Sequence, residues 1–202
     1  MVKYIRRWIL IILSIIILLK CCNINHKIHN EINLSFLYII NKNVYIDEAF
    51  STGEEEEIKK SLTAWENASD NRIKFNILFK YYEPGELDDF INKKSFNNSL
   101  FIWRMKNNNL SLYLKNKLKI FSGIYDNKGN IVIFVDNING LDTTFYNVVR
   151  HELGHALGLS HSISYNRSTM KVSSNEISDC ISKEDTDRLC LIYNCIGKPE
   201  CY

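Results

Sequence analysis

The eleven residues HELGHALGLSH (151–161) hold three of the chain's five histidines and a single glutamate. Histidines four apart on a helix project from one face, one turn above the other, so His151 and His155 can reach a single ion at about 2.0–2.1 Å. Gly158 stands where a helix C-terminus commonly needs left-handed backbone, which glycine adopts at little cost. The chain can therefore turn there and return His161 as a third ligand. Three neutral imidazoles leave a fourth tetrahedral position for water, the arrangement of a catalytic rather than a structural zinc site. Glu152 follows His151 and is directed to the same cleft without reaching the ion. It can hold that water, take its proton during attack on a carbonyl, and return the proton to the leaving amine. The chemistry expected is peptide-bond hydrolysis without a covalent intermediate. A bare HExxH would be a weak signal, but HExxHxxGxxH adds two positions, each with a mechanical reason.

Elements that could position these residues are legible on both sides of the cluster. Ile32 to Ile40 alternates apolar residues with period two, as a half-buried strand does. Ser51 and Glu54 form a capping-box pair before a helix with Ile58, Leu62 and Trp65 at helical spacing. In the acidic run that follows, Glu55 with Lys59 and Glu56 with Lys60 are i,i+4 pairs, so a solvated helix face is expected there rather than a calcium site. Ile73 to Phe79 and Ser99 to Met105 read as the second and third strands. Lys119–Tyr125 and Asn130–Asp136 flank the turn residues DNKG and read as an antiparallel hairpin. Asp142 or Thr143 is expected to cap the histidine helix, whose apolar face includes Phe145, Val148 and Val149. A last helix is expected from about Ser182 to Tyr193, with Thr186, Leu189, Cys190 and Tyr193 as its stripe. Residues 81–98 and 106–118 are largely polar and read as surface loops.

His151, Glu152, His155, Gly158 and His161 together resemble the metzincin zinc motif, and Ser162 directly after the third histidine resembles the matrixin branch. The resemblance implies an α+β, zincin-like fold with a twisted five-stranded mixed sheet, a long active-site helix, a methionine turn and a C-terminal helix. It implies that Met170, in "STM", lies beneath the zinc ligands as a hydrophobic floor. It also implies that substrate adds as a strand along the edge strand above the cleft, at about Phe121 to Tyr125. Val172 stands where astacins and serralysins have a tyrosine ligand, which argues against those branches. Lys171 and Val172 replace the tyrosine and proline of the matrixin turn, so cleavage specificity does not carry over. The short stretch between Cys22 and Ile32 gives a cysteine-switch prodomain no counterpart, and latency by that route is not expected. Calcium is allowed by the resemblance, but no loop demands it. His26 and His29 lack the partners of a second zinc site and read as linker residues.

Composition bounds the partners. A net charge of +2 at 202 residues gives no basic surface for nucleic acid, and the length suits one domain. Residues 1–22 differ in kind: Lys3, Arg6 and Arg7 precede the apolar run Trp8 to Leu19, twelve residues where a spanning helix needs about 20. This is an export signal or an anchor, and cleavage, lipidation at Cys21 or Cys22, and retention all stay open. Residues 23–202 form the catalytic domain. Export makes disulfides expected among Cys180, Cys190, Cys195 and Cys201, whose three pairings sequence does not rank. The reading is a monomeric, extracytoplasmic zinc metalloendopeptidase acting on protein or peptide, with membrane attachment through its N-terminal segment left open. The alternatives are a zinc-binding module without proteolysis and a zinc amidase. Intact Glu152 weighs against the first.

Overall fold

The computed structural model describes residues 39–80, 99–106, 122–138, 144–163, 167–172 and 177–201. The N-terminal segment 1–22, His26, His29, residues 32–38 of the expected first strand, both expected caps Asp142 and Thr143, and nearly all of the two expected loops lie outside the described residues. The elements are β1 (Ile40–Asp47), α1 (Thr52–Ala68), β2 (Ile73–Lys80), β3 (Ser99–Met105), β4 (Gly123–Tyr125), β5 (Asn130–Phe134), α2 (Val135–Ile138), α3 (Phe145–Ala156) and α4 (Lys183–Tyr193). The strands form one five-stranded mixed sheet in the order β2-β1-β3-β5-β4. β1 pairs in parallel with both β2 and β3, β3 in parallel with β5, and β4 runs antiparallel to β5 at the edge. The fold is α+β, as expected.

Alternation along the central strands explains how the sheet is covered. Leu100 and Ile102 on β3, with Ile131 and Ile133 on β5, join the main core; Phe101, Trp103, Met105, Val132 and Phe134, at the intervening positions, form a second buried cluster. Burial on both faces suits strands paired in parallel. Ile58, Leu62 and Trp65 of α1 and Val149 and Leu153 of α3 complete the main core. Trp65 Nε1 donates to the Arg150 carbonyl at 2.9 Å, a buried tie between the two helices. α1 starts with the expected capping box, Ser51 N donating to Glu54 Oε2 at 2.7 Å.

Three details differ from the sequence reading. The described first strand begins where the expected one ends. Its Asn41, Lys42 and Asn43 mask the pattern, and only Val44 and Ile46 are apolar and buried. Pairing on both sides, rather than a continuous apolar alternation, makes it a strand. The strand from Asn130 stops at Phe134, where a helical turn keeps Val135 and Ile138 in the core. Lys60 pairs with Glu57 at 2.7 Å rather than with Glu56, while Glu55 and Lys59 pair at 3.6 Å as expected.

Candidate metal centre

The histidine helix begins at Thr144, whose extended backbone and hydroxyl, accepting from Asn147 N at 3.2 Å, make it the cap in place of Asp142 or Thr143. It ends where the sequence indicated. Gly158 has φ 92°, Gly158 N donates to His155 O and Leu159 N to Gly154 O, both at 2.9 Å. These two bonds are a complete Schellman closure. The turn sends the chain back so that His161 faces His151 and His155.

All three Nε2 atoms point into one space. His155 Nε2 lies 3.1 Å from His151 Nε2 and 3.1 Å from His161 Nε2, and one nitrogen from each ring falls within 4.8 Å of the others. The opposite nitrogens are occupied: His151 Nδ1 lies 2.8 Å from Thr169 O and His155 Nδ1 2.8 Å from Leu159 O. Each carbonyl accepts, so each Nδ1 carries the proton and each Nε2 presents a lone pair. Lone pairs about 3.1 Å apart repel unless a cation sits among them, and four tetrahedral ligands at about 2.0 Å from zinc are separated by about 3.3 Å. The donor set fits zinc. Burial falls from His151 through His155 to the exposed His161, so the site opens to solvent on one side. Burial also lowers the His151 pKa to about 4, against the bond to Thr169 and with the help of the two neighbouring rings. Burial likewise lowers His155. Both rings favour the neutral form a metal ligand requires.

Glu152 is buried beside Gly123 of the edge strand. Burial pushes its carboxyl up to about 8, and the backbone N–H of Tyr125 opposes that by bonding the carboxylate. Met170 is wholly buried, and its sulfur fills the space that a β-carbon on Gly154 would need, directly under the histidine helix. Val172 is exposed.

Several contributors lie outside the fixed positions of the histidine motif. The Thr169 and Leu159 carbonyls orient two imidazoles, yet every residue has a carbonyl and side-chain identity does not mark them. Asp185 on α4, wholly buried, accepts from Ser168 Oγ at 2.6 Å, Thr169 N at 2.8 Å and Ser182 Oγ at 2.9 Å. It thereby fixes the turn that carries both Thr169 and Met170. Its spacing from Ser182 marks a helix cap, the one signal that could have found it. The four tail cysteines pair as Cys180–Cys201 and Cys190–Cys195.

Residues 102–194 match the matrixin family, Peptidase_M10. No curated protein matches the chain. Among solved structures, archaemetzincin from Methanopyrus kandleri is 14% identical, with 77% of this chain and 96% of that one covered at a TM-score of 0.48. High choriolytic enzyme 1, a hatching enzyme zinc-protease from the medaka fish Oryzias latipes, is 16% identical over 78% of this chain and 91% of that one, TM-score 0.43. Myroilysin is 12% identical over 80% and 83%, TM-score 0.41.

Proposed function

We propose that this chain, matched by the matrixin family model over residues 102–194, is an exported metzincin-like zinc endopeptidase in which His151, His155 and His161 hold the zinc and Glu152 is the general base for cleavage of protein or peptide substrates. The convergence of three Nε2 atoms, two of them with lone pairs set by Nδ1 bonds to Thr169 and Leu159, carries the reading. Zinc, when bound, supplies a Lewis acid that polarises the scissile carbonyl and acidifies water.

The chain's own residues do the rest. Glu152, held by the Tyr125 N–H, accepts a proton from the attacking water as the new C–O bond forms. It then donates that proton to the leaving nitrogen as the C–N bond breaks. In the metal-free site burial raises its carboxyl, and a divalent cation nearby pulls it back toward the ionised, basic form. Gly123–Tyr125 is the sheet's edge strand on the Glu152 side, which supports docking of an extended peptide alongside it. The basic and apolar segment 1–22 supports export, with the domain working as a monomer outside the cytoplasm or attached to its membrane.

Incubating the zinc-loaded protein with a diverse peptide mixture and sequencing products by mass spectrometry tests the reading. Internal cleavages are expected, abolished by a chelator and restored by zinc. A protein that keeps one zinc yet cleaves no peptide would replace the endopeptidase with a binding module, and release of terminal or non-peptide amides alone would point to an amidase.

A further inference from the structure

Arg150, directly before His151, has a side chain with no solvent exposure. Its guanidinium donates to Ser178 O at 2.6 Å, Asp179 O at 2.9 Å and Asn147 Oδ1 at 3.0 Å, and stacks 4.4 Å from the centre of the Tyr146 ring. Its Nε is buried with no partner among the described residues. Of the groups its guanidinium bonds, the charged one is Glu200, whose Oε2 lies 3.3 Å from Nη1. A buried cation stripped of its counterion is strongly destabilising.

Glu200 is itself built into place. Its Oε2 accepts from Ile181 N at 2.7 Å, and its own N–H donates to Ile181 O at 2.8 Å. The next residue, Cys201, is bonded to Cys180, and Lys198 N donates to Ala68 O at 3.0 Å, docking the tail on the end of α1. From Cys180 a second path returns to the site: its carbonyl accepts from Thr169 Oγ1 at 3.0 Å, and Thr169 O holds His151 Nδ1. The backbone of His151 and the partner of its ring are thus joined through one tail, and both Glu200 and Cys201 lie beyond the matrixin match.

We propose that Glu200 is a positioning residue for the metal centre, acting through Arg150 on the His151 end of α3, with the Cys180–Cys201 disulfide as its tether. The proposal rests on His151 being a zinc ligand. Arg150 bridges α3 to the Ser178–Asp179 carbonyls, and that bridge is electrically neutral while the tail stays in place.

The test compares the full chain with Glu200→Ala, with Cys180→Ser plus Cys201→Ser, and with Arg150→Met plus Glu200→Ala, at a temperature where circular dichroism shows each folded. Zinc affinity is measured by chelator competition. In the zinc-free protein, the His151 Nδ1–H resonance, seen by nitrogen-15 NMR, reports the bond to Thr169. Glu200→Ala and the tether variant are each expected to weaken zinc about 10- to 100-fold and to expose the Nδ1 proton to exchange. The Arg150→Met, Glu200→Ala pair is expected to recover most of both. A folded Glu200→Ala protein with unchanged affinity and an unchanged resonance overturns the proposal. So does a folded double variant that keeps the loosened site, because the route would then bypass Arg150. If Glu200→Ala does not fold, the double variant decides alone. A wild-type protein that binds no zinc would sink the ligand reading instead, and the Nδ1–H resonance would still judge Glu200.

Discussion

Gly123 and Glu152 touch: a β-carbon at 123 would lie 2.7 Å from Glu152 Cγ and 3.0 Å from its Oε1. The edge strand and the proposed base are fitted to each other with no room for a methyl group. Gly123→Ala should therefore displace the carboxylate while leaving the histidines alone. The expected result is unchanged zinc content, a stability loss of about 1–3 kcal/mol from overpacking, and turnover lower by up to about 100-fold. Steady-state kinetics beside elemental analysis check this, and full activity in the variant would mean that Glu152 tolerates the shift.

Glu152→Gln separates proton transfer from metal binding. It should keep zinc and melting temperature while turnover drops by about 10² to 10⁴. Changing His151, His155 or His161 to Ala should instead remove the metal. Zinc lost from the Gln variant would move Glu152 into the coordination shell.

The folded-state value of His151 lies below that of the unfolded chain, about 4 against 6.5. Between those values the unfolded chain binds more protons, so the metal-free protein should lose stability as pH falls through that window, by about 3 kcal/mol in all. For the same reason zinc occupancy should survive to about pH 6 and be lost toward about pH 4, since protons compete poorly for a buried imidazole. Chemical denaturation and equilibrium dialysis at several pH values measure the two effects. Occupancy lost sharply above pH 6.5 would contradict the burial argument.

Asp185→Ala strips the partner from the Ser168 hydroxyl and the Thr169 N–H, both buried. Each donor left unsatisfied costs about 1–3 kcal/mol. Zinc affinity should fall with stability, because the same turn presents the carbonyl that orients His151. A variant that melts lower but binds zinc as tightly would show that the turn and the ring are independent.

The parts legible in the sequence were those with local rules. Two histidines four apart, Gly158 at the helix end and the Ser51 cap follow from helix pitch, backbone freedom and turn chemistry, and each is where it was expected; the edge hairpin has the expected antiparallel pairing, with its second strand ending at Phe134 instead of Asp136. What escaped depends on distant partners. β1 became a strand through neighbours on both sides despite its polar half. The pairing of Cys180 with Cys201 and the Arg150–Glu200 ion pair join positions far apart along the chain, with no periodicity to announce them.

The central place of β1 also governs how the molecule assembles. It is an early strand flanked on both sides by strands synthesised later, so even its nearer pairing, as between Asn43 and Asn76, closes a separation of 33 residues. The Trp65–Arg150 tie closes 85. Loop closure must precede the contacts that reward it, and such topologies fold slowly. During biosynthesis β1 therefore waits for β3 with one edge unpaired, and the interval before α3 docks is when a holdase chaperone, or aggregation, would act on this chain.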